Sequence, residues 1–266
     1  MNKFSLALAD GAIVAKRNLI KIKRVPDILV FTLMSPIMFV LLFAYVFGGS
    51  IDLPGDLNYR EFLLAGVFVQ TVIFGSTFSG AGMADDMQKG IIDRFRSLPM
   101  SPAAVLVGRT ASDIVNNVLS LGVMSATGLA VGWRIRTSVP EALAAFAMIL
   151  LFAYAISWVM TYVGLLVPTP EVVNNASFMV IFPLTFLANT FVPSDNLPSV
   201  LRAFAEWNPV SAVTQAAREL FGNGPAVTDG PWSLENPVLY GLIWVGIILV
   251  VFVPLSVRKF QQAANK

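Results

Sequence analysis

The side chains that usually carry catalysis are scarce in this sequence. Cysteine and histidine are both absent. Thiolate nucleophiles, Cys-based metal sites, the commonest zinc ligand and the commonest general base are therefore excluded. No G-x-x-x-x-G-K-[ST] loop is present to cradle phosphates, and neither is H-E-x-x-H, G-x-S-x-G or G-x-G-x-x-G. Asp85-Asp86 is the sole adjacent carboxylate pair. It stands without a companion acid or base at the mouth of an apolar run, where solvation of a helix end is the expected role. Arg109 and Asp113 stand one helical turn apart and are expected to form an i,i+4 ion pair. Neither pair assembles a reaction centre, and no metal or cofactor is expected.

One charged stretch stands out, "GIIDRFRSLPMSPAAVLVGR" from Gly90 to Arg109. On a helix Ile91, Phe95 and Leu98 share a face with Ile92 beside it, whereas Asp93, Arg94 and Arg96 point elsewhere. Pro99 and Pro102 end that helix before the next apolar run. An apolar ridge flanked by arginines suits docking into a protein groove. It equally suits an anchor resting on lipid.

The elements around this stretch are set by composition. The 266 residues are 56% hydrophobic and 13% charged, with a mean hydropathy of +0.73. A soluble domain carries roughly twice that charge. The net charge of +2 gives no case for nucleic acid. Charge-free windows run over 28–51, 62–84, 114–133, 142–170, 172–194 and 236–257. Each reaches the roughly 20 residues that cross a hydrocarbon core, where only a self-satisfied backbone is stable. The expected fold is an all-α integral membrane protein of six transmembrane helices.

Lys and Arg set the orientation. With both termini in the cytoplasm, thirteen of them face inward and five outward (Arg60, Arg134, Arg136, Arg202 and Arg218). Residues 1–27 mix Leu6, Ile13, Leu19 and Ile20 with a basic face, which predicts an amphipathic interfacial helix rather than a signal peptide. A solvated basic arm is the alternative. Residues 28–257 are expected to form the six-span membrane domain and 258–266 a cytoplasmic tail.

The windows differ in detail. Ser35-Pro36 should kink the first. Gly75, Ser76, Ser79, Gly80 and Gly82 in the second suit either close helix approach or a flexible, gating role. Thr169, Pro170 and Glu171 make a helix start. Between 195 and 235 two short helices are predicted, the second opened by Asn208-Pro209 and closed by Gly222. Leu197, Val200, Leu201 and Phe204 give the first an apolar face, and Val210, Val213, Ala217 and Leu220 the second. A re-entrant extracellular hairpin fits them, and so does a surface cap. Ionisable groups near the midplane, which ion-coupled transport needs, are missing from the windows, where the polar side chains include the amides Gln70, Asn174, Asn175 and Asn189. Any transport must draw energy from another polypeptide.

"FRSLPMSPAAVLVGRTASD" resembles the cytoplasmic loop of type-2 ATP-binding-cassette permeases, above all the daunorubicin-resistance efflux group. "LANTFVPSDNLPSVLRAFAEWNPVSAVTQAARELFGNG" is similar to that family's segment after its fifth span, with an Asn-Pro ahead of a helix. The resemblance covers essentially the whole chain. It implies that Gly90, Ile91, Arg94, Phe95, Arg96, Leu98, Pro99 and Ser101 belong to a coupling helix seated on a separate ATPase subunit. It also implies a second permease half, identical or not, an N-terminal connecting helix, and a cargo path between the second and fifth spans. There Phe68, Gln70, Phe74, Phe78, Asn174, Asn175, Phe178 and Phe182 are the candidates. The expected function is ATP-driven export of a hydrophobic or amphipathic compound across a bacterial plasma membrane, with hydrolysis on the partner. Export of a lipid or lipid-linked glycan is the alternative, ahead of a membrane-embedded enzyme or a non-transporting scaffold.

Overall fold

A computed structural model describes residues 34, 36–47, 58–90, 102–191, 193–194, 197–224, 226–228 and 230–263. The expected connecting helix over 1–27 and the amphipathic stretch over 91–101 lie outside them, as does Ser35 of the expected kink.

The described residues form helices and no strand. In chain order they are α1 (Pro36–Val46), α2 (Tyr59–Gly75), α3 (Thr77–Gln88), α4 (Pro102–Ala130) and α5 (Val139–Gly164). There follow α6 (Pro170–Phe186), the short α7 (Ser199–Trp207), α8 (Pro209–Phe221), the single turn α9 (Trp232–Glu235) and α10 (Pro237–Ala263). Among the described residues three helical stretches are long and apolar enough to cross a membrane: Tyr59–Gln88, Val139–Gly164 and Pro237–Gln262.

Local signals explain the helix ends. Asn58 caps α2 by accepting from the Arg60 amide, and Thr169 caps α6 by accepting from that of Val172. Pro170 and Pro209 occupy first helical positions, where no backbone N–H is needed. Asn208 accepts from the Val210 amide at 2.9 Å, and Gly222 closes α8 at φ 70°. A side chain there would strain the left-handed backbone.

Helix α5 is the hub, packed against α3, α8, α10 and α4. Helix α2 is mostly apolar and buried nearly all round, as a core helix should be. Phe68, Trp133, Phe146 and Phe221 meet edge to face or tilted at the heart of the bundle. The small residues of the second window serve close approach. A Cβ on Gly80 would lie 2.5 Å from the Met160 carbonyl oxygen, and one on Gly164 would collide with the Gly80 carbonyl. Helices α3 and α5 thus touch backbone to backbone.

The two short helices behave differently. Val210, Val213 and Ala217 of α8 are fully buried, so its apolar face looks into the bundle. The apolar face of α7 looks outward, with Val200 79% exposed and Phe204 45%.

At the end of the bundle where α2 begins, the arginines hold helix termini. Arg134 donates to the Leu129 and Trp133 carbonyls after α4, and Arg136 grips Glu61 through two bonds of 2.7 and 2.8 Å. Arg218 is buried. Its Nε donates to the Phe62 carbonyl at 3.0 Å and its Nη2 to those of Asn189 and Thr190 at 2.7 and 2.9 Å. Its guanidinium lies 3.4 Å from the Phe62 ring centroid, a cation–π contact. One side chain on α8 thereby fastens the start of α2 to the chain just beyond α6.

Candidate functional site

A cleft of about 480 Å³ opens between α1, α2, the start of α3, α4 and α6. Six phenylalanines are the largest group in its wall. Phe178, Phe182 and Phe186 follow one another at four-residue intervals along α6, so they share a face. Their rings stack at centroid distances of 5.0 and 4.0 Å. Phe74 leans on Phe178 from the other side at 6.2 Å, and Phe39 and Phe78 complete the aromatic lining.

Polar groups are few: Gln70, Thr71, Thr77 and Ser120. The Thr77 hydroxyl is spent on the Phe74 carbonyl at 2.7 Å. Gln70 is 6% exposed, on the cleft side of α2. No charged side chain lines the cleft among the described residues, and none of their carboxylates gather in threes to hold a metal ion. The chemistry available is apolar and aromatic contact, with an amide and hydroxyls to orient a bound molecule.

Of the eight residues expected on the cargo path, Gln70, Phe74, Phe78, Phe178 and Phe182 come together here. Phe68 does not; its ring is fully buried against Trp133 at 5.2 Å. Asn174 and Asn175 are exposed on the first turns of α6, away from the lining. Phe39, Thr71, Ser120 and Phe186 line the cleft without having been expected. Phe186 was signalled by the four-residue repeat of Phe178 and Phe182, and Ser120 by its three-residue step from Asn117 on the polar side of α4, whereas Phe39 sits on a helix whose inward face the sequence leaves unmarked.

Gly90 ends α3 in the left-handed conformation at φ 63°, its amide donating to the Met87 carbonyl at 3.1 Å. Ile91, Arg94, Phe95, Arg96, Leu98, Pro99 and Ser101 lie outside the described residues. Nearby, Lys89 binds Asp85, and that hydrogen bond raises the pKa of the ammonium above its ordinary value. Two sequence-based expectations need correction here. Arg109 pairs with Asp86 at 2.7 Å, across to α3, rather than with Asp113 on its own helix. Asp86 is therefore a partner in an ion pair instead of a solvated helix end, and Asp113 accepts a hydrogen bond from the Ser79 hydroxyl. Arg109 faces α3 because Gly82 leaves room there: a Cβ on Gly82 would collide with the guanidinium.

The family model described as ABC-2 type transporter matches residues 11–221, from before α1 to the end of α8. The chain belongs to the ABC-2 type transporter family. Among the relatives of this ABC-2 permease is the daunorubicin resistance ABC transporter permease protein DrrB1 of Streptomyces coeruleorubidus. It is 31% identical over 246 residues, which cover 92% of this chain and 84% of the relative. The probable doxorubicin resistance ABC transporter permease protein DrrC of Mycobacterium tuberculosis is 24% identical over 223 residues, or 84% and 78% of the two chains. The putative transport permease ycf38 of Cyanophora paradoxa is 23% identical over 214 residues, or 79% and 73%. An ABC-2 permease with drug-resistance relatives and long apolar helices is a membrane protein, and its family is one of transport permeases.

Proposed function

We propose that this chain is the membrane subunit of an ABC exporter that moves a hydrophobic or amphipathic compound out of a bacterial cell. ATP is hydrolysed on a separate nucleotide-binding subunit, seated against the Gly90–Ser101 segment. Six spans, both termini in the cytoplasm and pairing with a second permease half complete the assembly, with residues 1–27 as a connecting helix on the inner leaflet. The observation that carries this is the aromatic, uncharged cleft on an ABC-2 chain. It also favours an apolar cargo over a lipid-linked glycan, whose phosphate calls for cationic partners that the described lining lacks.

Transport requires that the cleft bind cargo with different affinity in its two states. Phe74→Ala and Phe178→Ala each remove one aromatic contact, which costs on the order of 1–3 kcal/mol in an apolar pocket. Cells expressing either variant with the ATPase subunit should show an altered resistance profile, about ten-fold or more for the most affected compound, at unchanged membrane levels. Profiles identical to wild type would place these rings against lipid.

The arrangement of spans has its own test, made clean by the absence of cysteine. Cysteines introduced at Ser5 and Asn265 should react with a membrane-impermeant maleimide only in inverted vesicles, and one at Asp229 only in intact cells. Labelling of both termini in intact cells would reverse the orientation.

A further inference from the structure

Thr71, Gly75, Ser79, Gly82 and Asp86 recur along α2 and α3 at three- and four-residue steps and so share one face. Arg109, Asp113, Asn117 and Ser120 do the same on α4. The two faces meet in antiparallel register. Asp86 pairs with Arg109 at 2.7 Å, Ser79 binds Asp113, and a Cβ on Gly75 would lie 2.8 Å from the Asn117 amide oxygen. Arg109 also donates through Nε to the Ser79 carbonyl at 3.0 Å. At the far end Thr71, Gly75 and Ser120 line the cleft. A single polar seam therefore runs from the ends of α3 and α4 that flank Gly90–Ser101 to the wall of the cleft.

Packing alone does not select such a seam. Arg109 and Asp86 are only 14% and 13% exposed, and Asp113 is 8% exposed. Apolar side chains of matched volume would join two helices at least as well, because desolvating charges offsets their attraction. A charged pair does what a greasy contact cannot: it resists sliding, since any shift in register pulls two nearly buried opposite charges apart. Ionisable groups are costly to bury at the ends of membrane helices, which makes this pair a functional candidate.

We propose that the seam is the device that carries motion from the Gly90–Ser101 segment to the cleft. It locks α3 and α4 in register, so a displacement at their shared end moves Phe74, Phe78 and Ser120 together. Asp86, Arg109, Ser79 and Asp113 are thus positioning residues, touching neither ATP nor cargo. This rests on the functional reading above, in which that segment meets the ATPase and the cleft holds cargo.

The test uses the full permease with its ATPase subunit in proteoliposomes, with daunorubicin as the fluorescent probe. Asp86→Arg and Arg109→Asp should each retain ATPase recovery and hydrolysis while daunorubicin moved per ATP falls about ten-fold, within the usual range of site-to-site coupling. The double exchange should restore most of it. Ser79→Ala, which keeps the volume and removes only the hydroxyl bound by Asp113, should lower the same ratio and serves if a charge reversal does not reach the membrane. An unchanged ratio in the single variants and in Ser79→Ala would overturn the proposal, and so would a double exchange as impaired as its parents. Wild type that moves no daunorubicin on ATP hydrolysis would instead sink the functional reading, and the seam's role with it.

Discussion

Replacing Phe95 with Asp is expected to abolish recovery of the ATPase subunit while leaving the permease in the membrane. In the proposed reading Phe95 is the central apolar knob of the Gly90–Ser101 segment, since it comes four residues after Ile91 and three before Leu98 in the sequence. A carboxylate in its place would have to enter the partner's groove unpaired, which costs several kcal/mol unless it is protonated or rehydrated. Membrane insertion should be untouched, since no apolar window changes. Arg94→Ala should do far less, because charges on a rim chiefly tune association rate and salt dependence. The measurement is a pull-down of the ATPase by wild type and variant at matched expression. Undiminished recovery would mean that the segment rests on lipid.

Arg218→Ala is expected to be the most damaging single change within the described bundle. It strips three carbonyl oxygens, those of Phe62, Asn189 and Thr190, of a charged donor. Hydrogen bonds to charged groups contribute about 1.5–3 kcal/mol each, and leaving buried acceptors unmade adds to the loss. A destabilisation on the order of 3 kcal/mol or more follows, visible as a lower midpoint of thermal unfolding in detergent. Arg218→Lys should recover little of it, because a compact ammonium cannot reach carbonyls on two segments as a planar fork does. A midpoint unchanged by Arg218→Ala would show that the clamp holds nothing.

What the sequence disclosed and what it withheld divide along a physical line. Signals local to one helix were legible: Thr169-Pro170, Asn208-Pro209 and Gly222 begin and end helices where their backbone chemistry requires. Contacts across helices were not. Asp113 lies one turn from Arg109, yet the guanidinium reaches Asp86, twenty-three residues back, because the gap at Gly82 admits it. Phe68 and Phe74 are the same residue type on one helix, but six positions turn the chain by roughly 240°, so one ring meets the core and the other the cleft. Periodicity finds an apolar face without saying what it faces, which is why the apolar sides of α7 and α8 read alike and point opposite ways.

Helix α6 bears on how this protein behaves outside a cell. Its buried contacts are Val173, Ser177, Ile181 and Thr185, a narrow stripe of small and medium side chains. In hydrocarbon no hydrophobic effect presses helices together, so such a stripe holds by fit alone. The phenylalanine face beside it offers an alkyl chain the same contacts that it would offer the proposed cargo. Detergent tails are then competitive ligands of the cleft, present at millimolar rather than micromolar levels. By mass action they multiply the apparent dissociation constant of any drug by one plus the ratio of detergent concentration to its own dissociation constant. Affinities measured in micelles should accordingly be weaker than those measured in lipid nanodiscs, by one common factor for every compound that competes for this face.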